Sequence, residues 1–383
     1  MNNFEYFNPV KIIFGKNEIA KLSKLIPKNQ KVLVTYGGGS IKNNGIYEQV
    51  MSALEDHEKI EFSGIMPNPQ YENLMNAVEL AKKENIDFFL AVGGGSVIDA
   101  TKFIAAAVHH DDDPWKILSE RQPIKNVTKM GVVLTLPATG SEMNSFSVIS
   151  RGDKKLGFGG DPRLYPTFSI LDPEVTYSLP EKQLGNGIVD AFVHVIEQYL
   201  TTSKITPIQD RFAESILKTL IEEAPKVIEV KNDYESRANL MWSATQALNG
   251  LIGVGVDHDW ATHMIGHEFS ALYGIDHARS LALILPSLLR AQKKTKRFKL
   301  LQFAHRVWDI ENGTTDEKIE KAITCTEDFF NSVGVPTKLK VYKLGEKEID
   351  AVIKSLSENF PGNLGEHSDL DKVRIKELLM QAL

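Results

Sequence analysis

The second half of the chain repeats an acid or a histidine at the spacing of one helical turn. Asp190 and His194 are four residues apart, and so are His263 and His267, so each pair shares one face of a predicted helix. His277 follows in what we predict to be a turn. Three imidazoles and a carboxylate form a good four-ligand set for a divalent first-row metal. The spacing therefore indicates a candidate metal site.

Other interpretations of these residues stay open. Either pair alone is more typical of ordinary helix histidines, with a salt bridge between Asp190 and His194. The stretch 264–268 lacks the order H-E-x-x-H, which excludes a zinc peptidase. The metal interpretation gains support only together with a nucleotide site, and the combination then suggests metal-assisted hydride transfer.

Glycine-rich turns in the first half indicate such a nucleotide site. Gly37–Ser40 and Gly93–Ser96 each follow a predicted buried strand, and the small residues of 137–142 follow a third. Glycines let the backbone approach a ligand, and a following helix offers free N–H groups to phosphate. Each turn alone is also explained as a tight strand-to-helix connection, and the spacing differs from the G-x-G-x-x-G fingerprint. Three such loops at one sheet edge suit an elongated ligand with several phosphates. Asp99 has capping-box spacing after Ser96, so we expect it to start the helix rather than to bind phosphate.

The elements that must position these residues differ between the two halves. Strands alternate with helices up to residue 179, which predicts an α/β dinucleotide-binding domain with a parallel sheet. Residues 180–383 show helical patterns only, which predicts an all-helical metal-binding domain. The predicted strands are 10–15, 31–36, 86–92, 131–136 and 168–171, and the predicted helices are 71–84, 184–200, 209–228, 234–253, 260–273, 317–332 and 349–360.

Composition limits the possible partners of this 383-residue chain. With 44 basic and 50 acidic residues the formal charge is −6, which argues against a nucleic-acid partner and against an electrostatic grip on a membrane. The single cysteine, Cys325, allows no intrachain disulfide, and we see no signal peptide and no apolar run that could span a membrane. We therefore expect a cytoplasmic protein.

Five stretches together resemble the iron-containing (group III) alcohol dehydrogenases, and within them the NADPH-dependent aldehyde reductases and butanol dehydrogenases. They lie at 36–40, 91–99, 136–142, 189–194 and 260–268. The resemblance covers nearly the whole chain and implies a dehydroquinate synthase-like architecture. It also implies that a metal ion, Fe²⁺ or Zn²⁺, is held by Asp190, His194, His263 and His277. His267 matches the second, non-ligand histidine of the family, near the nicotinamide, and is our candidate catalytic residue.

The same resemblance implies the cofactor contacts. The matching positions are Gly94, Gly95, Ser96, Thr135, Thr139, Ser141 and Lys155. NAD-preferring relatives often carry an aspartate near position 38, whereas this chain has Gly37, Gly38, Gly39 and Ser40. Backbone N–H groups and the Ser40 hydroxyl can receive a 2′-phosphate there, so we predict NADP(H) as the cofactor.

The predicted activity is the metal-dependent reduction of short- to medium-chain aldehydes, such as butanal, to primary alcohols with NADPH, and the reverse reaction. In this hypothesis the metal polarises the carbonyl, the nicotinamide supplies hydride, and His267 or water near it passes the proton. One alternative is a sister enzyme, such as a glycerol dehydrogenase or a dehydroquinate synthase, although these use fewer histidine ligands. The other is a non-catalytic dinucleotide-binding sensor, which would be expected to lose metal ligands. Because relatives are often dimers and 10–15 reads as an edge strand, we expect a homodimer.

Overall fold

The computed structural model describes residues 1–201 and 205–383, and these form two compact units. One unit comprises Phe7–Leu179 with Asn232–Met241, and the other comprises Met1–Tyr6, Pro180–Lys231 and Trp242–Leu383. The predicted boundary at 179 placed residues 1–6 in the first domain and residues 232–241 in the second. In the structure, residues 1–6 group with the second unit and residues 232–241 with the first. The predicted division into two domains stays a prediction.

The first unit, which we call the sheet unit, is built on a six-stranded sheet in the order β1-β8-β5-β4-β2-β3, whose pairs are all parallel. The eight strands are β1 (Lys11–Phe14), β2 (Val32–Tyr36), β3 (Lys59–Phe62), β4 (Phe88–Gly93), β5 (Met130–Leu134), β6 (Ser147–Arg151), β7 (Lys154–Phe158) and β8 (Phe168–Leu171). Every residue of β2, β4, β5 and β8 is buried, which explains their continuous apolar runs. β1 lies at an edge of the sheet, as its sequence indicated.

Strands β6 and β7 form a separate antiparallel hairpin that the sequence did not predict. Their residues are mixed polar and apolar, and Gly152 makes the turn with a φ of 60°. β3 was also missed, because its four residues alternate charged with apolar side chains and none of them is fully buried.

The helices number fourteen among the described residues. They are α1 (Leu22–Leu25), α2 (Ile46–Ala53), α3 (Tyr71–Lys83), α4 (Gly95–Ala107), α5 (Lys116–Ser119), α6 (Glu181–Tyr199), α7 (Pro207–Glu229), α8 (Tyr234–Ala247), α9 (Ala261–Tyr273), α10 (His277–Ala291), α11 (Arg297–Arg306), α12 (Thr315–Ser332), α13 (Glu346–Asn359) and α14 (Lys372–Met380).

The second unit, which we call the helical unit, contains α6, α7 and α9 to α14. Part of its core lies between α9, α10, α13 and α14, where Phe269, Leu288, Val352 and Leu378 are among the buried side chains. Together with the parallel sheet of the other unit, this helical region confirms the predicted fold class. None of the helices in 1–201 and 205–383 is both long and apolar enough to cross a membrane.

Two local predictions were wrong. The helix predicted for 234–253 ends at Ala247. His277 does not lie in a turn but is the first residue of α10, with Asp276 before it as the capping position. Neither α10 nor α11 nor α14 was predicted. The run 281–289 of α10 is buried throughout and therefore lacks the polar face on which helical periodicity depends.

Candidate metal and dinucleotide sites

Helix α6 holds three ionisable side chains on one face. Asp190, His194 and Glu197 follow each other at spacings of four and three residues, which places them in a row. Every residue of α6 from Leu184 to Tyr199 is buried, so the row lies inside the helical unit. Only 3% of Asp190 and 4% each of His194 and Glu197 is exposed. An ionised carboxylate or a charged imidazole is costly at such a place unless a partner of opposite charge is near.

The other imidazoles come from α9 and α10. The side chain of Asp259 accepts a hydrogen bond from the first N–H of α9, and Gly274 ends the helix with a φ of 63°, in the left-handed region. His263 is buried in the first turn of α9, and His267 lies one turn later and is partly exposed. His277 opens α10, and 24% of its side chain is exposed.

These residues converge on one place. The Nε2 atoms of His194 and His263 are 3.1 Å apart, and Asp190 Oδ1 lies 3.6 Å from His277 Nε2. Asp190, His263 and His277 each offer one ligand atom, and these atoms all lie within 4.8 Å of one another. At a Zn–N bond length of about 2.0–2.1 Å, two nitrogens of a tetrahedral site lie about 3.3 Å apart. Asp190, His263 and His277 could therefore hold one ion together, and His194 lies next to them through its contact with His263.

The electrostatics of the cluster also suit a cation. Burial lowers the pKa of His194 to about 4, so the ring is neutral near pH 7 and keeps a lone pair for a metal. Burial, with a further contribution from the Asp259 carboxylate, raises the pKa of Glu197 well above its usual value. A bound divalent cation would stabilise the carboxylates of Asp190 and Glu197 together. The donor set, imidazole with carboxylate, fits zinc or ferrous iron.

Two further residues of the cluster stand apart from the four predicted ligands. The ring of His267 is centred 5.2 Å from that of His277 and 6.1 Å from that of His263, beside the set rather than within it. Its catalytic role stays a prediction. Glu197, which hydrogen-bonds to His263, was not predicted as a site residue. Its position three residues after His194 is a signal that could have found it.

In the sheet unit, the predicted nucleotide loops lie at the same edge. β2, β4 and β5 are neighbours, Tyr36 pairs with Val92, and Gly93 pairs with Leu134. The turns after these strands therefore leave the sheet side by side. This is the edge where parallel sheets bind their ligands.

The turn Gly37–Ser40 is open to solvent. Gly38 and Ser40 are exposed, and a Cβ added at Gly38 or Gly39 would meet no other atom within 4 Å. Gly39 has a φ of 92°. The turn thus has room for a phosphate beside its backbone and the Ser40 hydroxyl.

Helix α4 presents its N-terminus at the second turn. Its capping residue is Gly94, and the first intrahelical bonds run from Val97 and Ile98 to the Gly94 carbonyl oxygen. The N–H groups of Gly95 and Ser96 therefore lie at the free end of the helix, which is a position suited to an anion. The expectation that Asp99 starts the helix was wrong, because Asp99 lies inside α4 and accepts hydrogen bonds from Ser141 Oγ (2.6 Å) and the Val148 N–H (2.9 Å).

A buried lysine of α4, Lys102, connects this helix to the loop that follows β5, which we call the third loop (137–146). Lys102 Nζ donates to Ser141 O (2.7 Å), Ser141 Oγ (2.8 Å), Asn144 Oδ1 (3.1 Å) and Phe146 O (2.8 Å). Burial lowers the pKa of Lys102 to about 8. The Ser141 hydroxyl also donates a hydrogen bond to Asp99. The hydroxyl and the carbonyl oxygen of Ser141 are therefore both hydrogen-bonded to residues of α4. A direct contact of Ser141 with the cofactor stays a prediction.

The remaining predicted contacts surround this loop. The Thr135 N–H bonds to Gly93 O (3.0 Å), which holds the start of the loop beside the second turn. The Thr139 side chain packs against Gly95, where a Cβ would lie 2.4 Å from Thr139 Oγ1. Lys155 on β7 donates to Asn68 Oδ1 at 2.9 Å, whereas Lys154 is exposed. The structure thus favours Lys155 over its neighbour as the inward-facing lysine.

Comparison with known proteins identifies the class. Residues 9–173 match the family model of the iron-containing alcohol dehydrogenases. Residues 186–383 match the model of the C-terminal part of the Fe-containing alcohol dehydrogenase family. The chain therefore belongs to the iron-containing alcohol dehydrogenases, which confirms the predicted family.

Individual relatives are similar over their whole length. The NADPH-dependent aldehyde reductase YqhD of Escherichia coli K12 is 53% identical over 97% of both chains. The probable NADH-dependent butanol dehydrogenase 1 of Bacillus subtilis 168 is 42% identical over 100% of both. Among solved structures, that of E. coli K-12 YqhD has a TM-score of 0.98 at 51% identity and covers 100% of this chain and 99% of its own.

Proposed function

We propose that the protein is a metal-dependent aldehyde reductase that uses NADPH to reduce short- to medium-chain aldehydes, such as butanal, and catalyses the reverse oxidation of primary alcohols. The observation that supports this proposal is that Asp190, His263 and His277 offer ligand atoms within 4.8 Å of one another, with His194 Nε2 3.1 Å from His263 Nε2. The similarity to an aldehyde reductase at 53% identity supports the direction and the cofactor.

The residues of the cluster have separate tasks in this scheme. Asp190, His194, His263 and His277 hold a divalent ion, Fe²⁺ or Zn²⁺, which when bound supplies a Lewis acid that polarises the aldehyde carbonyl. His194 is neutral near pH 7 because burial lowers its pKa to about 4, so it can bind the ion without first losing a proton. His267 lies beside the ligands, and we propose that it, or water next to it, delivers the proton to the product oxygen.

The residues of the sheet unit bind the cofactor. The N–H groups at the start of α4 receive the pyrophosphate, and Gly37–Ser40 accommodate the 2′-phosphate in a turn without an acidic side chain. Lys102 keeps the third loop in the conformation that lines this edge of the sheet. Lys155 and Thr139 complete the proposed contacts.

The test is a metal-dependent assay with a paired variant. Protein stripped of metal with a chelator should not reduce butanal with NADPH, and Fe²⁺ or Zn²⁺ should restore the activity. Asp190→Ala should lose the metal and the activity while it binds NADPH with nearly unchanged affinity. A metal-free Asp190→Ala protein that reduces butanal at the wild-type rate would refute the proposal.

We further propose a cytoplasmic homodimer. β1 lies at the edge of the six-stranded sheet, and an edge strand can pair with a second copy of the chain. Sedimentation equilibrium at micromolar concentration should give twice the mass of the 42.8-kDa chain, and a monomer mass would contradict the proposal. The absence of nucleic-acid and membrane partners stays a prediction.

A further inference from the structure

We propose that Glu197 is a positioning residue that fixes the ring of His263 with Nε2 toward the metal and thereby sets the affinity for the ion. This inference rests on the proposed function, in which His263 is a ligand. It concerns a residue of α6 that is not one of the four proposed ligands. It follows from two hydrogen bonds that the Glu197 carboxylate makes to His263.

The Glu197 carboxylate binds His263 twice. Oε1 accepts a hydrogen bond from the backbone N–H of His263 at 3.1 Å, and Oε2 is hydrogen-bonded to the ring Nδ1. Both side chains are withdrawn from water: the exposed fraction of the side chain alone is 3% for Glu197 and 11% for His263. Two bonds to two different groups of one residue fix both the backbone position and the rotation of the ring.

This pairing decides which ring nitrogen is available. Because Nδ1 is engaged by Glu197, only Nε2 of His263 can coordinate, and Nε2 is the atom that lies 3.1 Å from His194 Nε2. With a cation at Nε2 the ring proton stays on Nδ1 and is donated to the carboxylate. Such a carboxylate orients a histidine ligand and raises its basicity.

A second set of buried groups holds Glu197 and the start of α9 together. The Asp259 N–H donates to the backbone carbonyl oxygen of Glu197 at 2.9 Å. Asp259 in turn lies 2.8 Å from Lys296 Nζ, which is 3% exposed and also contacts Glu366 at 3.1 Å and the Leu200 carbonyl oxygen at 2.6 Å. The end of α6 and the segment before His263 are therefore tied to each other independently of any ion.

The substitution Glu197→Gln tests the inference closely, because it conserves shape. A glutamine amide has a single acceptor oxygen. The backbone N–H and the ring Nδ1–H of His263 are each paired with a separate carboxylate oxygen of Glu197. One of them would face the NH₂ group instead, so the ring loses its fixed rotation. Loss of a carboxylate of this kind typically weakens metal binding about ten- to a hundredfold.

Glu214→Gln is the matched control. Glu214 is a buried glutamate of the same unit, 8% exposed, and its Oε1 accepts hydrogen bonds from Tyr199, Gln302 and Arg306. The same substitution there removes a buried charge without touching His263. It should leave metal affinity within about threefold of wild type, even if it lowers the melting temperature.

The experiment measures Zn²⁺ and Co²⁺ affinity of full-length protein by chelator competition, together with the Co²⁺ absorption spectrum and NADPH binding. We expect Glu197→Gln to bind both ions at least tenfold more weakly, to show an altered Co²⁺ spectrum and to bind NADPH normally. Glu197→Gln with wild-type ion affinity and spectrum would overturn the inference while the proposed function stands. Wild-type protein that binds no ion would instead overturn the proposed function, and this inference with it. Should Glu197→Gln fail to fold, Glu197→Asp keeps the charge but shortens the reach, and wild-type ion affinity in that variant would also overturn the inference.

Discussion

The Nε2 atoms of His194 and His263 lie 3.1 Å apart inside the helical unit, although the two residues are on different helices. Two imidazole lone pairs repel at that distance unless a proton or a cation lies between them. Burial keeps His194 unprotonated near pH 7, so its Nε2 offers a lone pair either to a proton on His263 Nε2 or to a cation.

Acid should destabilise the metal-free protein through His194. Its pKa is about 4 in the folded state and 6.5 ordinarily, so the unfolded chain binds the proton first as the pH falls. The contribution of neutral His194 to the free energy of unfolding is intact above pH 6.5. It falls progressively between pH 6.5 and 4, by up to about 3 kcal/mol. Urea unfolding at pH 7 and pH 5 should show this loss in metal-free wild type and a smaller one in His194→Gln. An equal loss in both proteins would contradict the assignment.

Lys102→Met should weaken cofactor binding without affecting the metal. Its four acceptors at 141, 144 and 146 would lose their common donor, and the loop would no longer be fastened to α4. We expect a loss of about 2–3 kcal/mol in unfolding free energy and roughly tenfold weaker NADPH binding, measured by fluorescence titration. Lys125→Met, at a lysine of the same unit whose side chain is 56% exposed, is the control and should leave both quantities unchanged. Normal NADPH affinity in Lys102→Met would show that the loop does not need the lysine.

Gly38→Asp should reverse the cofactor preference. The position is exposed and a side chain meets no atom there within 4 Å, so the substitution acts through its charge and not through a clash. A carboxylate beside the 2′-phosphate repels NADPH but can bind the ribose hydroxyls of NADH. The ratio of kcat/KM for NADPH to that for NADH should fall at least tenfold, whereas the neutral Gly38→Asn should change it little. If the ratio fell equally in Gly38→Asp and Gly38→Asn, the charge of the aspartate could not be the cause of the change in cofactor preference.

Gly95→Ala should destabilise the sheet unit by about 1–3 kcal/mol, because the added Cβ would lie 2.4 Å from Thr139 Oγ1. Thr139→Ala removes the two nearest atoms, so the double variant should recover part of the loss. The double-mutant cycle, measured by urea unfolding, gives this coupling directly. Additive effects of the two changes would contradict the contact.

Much of the fold could be predicted because its signals are local. The buried strands β2, β4 and β8 are short apolar runs, and each lies within a few residues of its predicted place. The glycine turns after β2 and β4 were found for the same reason. β3 and the β6–β7 hairpin were missed because their residues mix polar with apolar side chains and form no continuous apolar run.

The site divides in the same way. Asp190, His194, His263 and His267 were found from helical spacing, whereas the ligand set itself came from family resemblance. Glu197, Lys102 and the true place of Asp99 were not found, because each acts through a bond to a residue distant in sequence: His263, Ser141 and Val148. Helical spacing shows which side chains share a face and is silent about what packs against it.

The complete burial of α6 from Leu184 to Tyr199 has a consequence for how the protein acquires its ion. Asp190 and His194 are enclosed as soon as the helical unit has folded, while His267 and His277 keep contact with solvent. An ion that arrives after folding would therefore find solvent contact at His267 and His277 and none at Asp190 and His194.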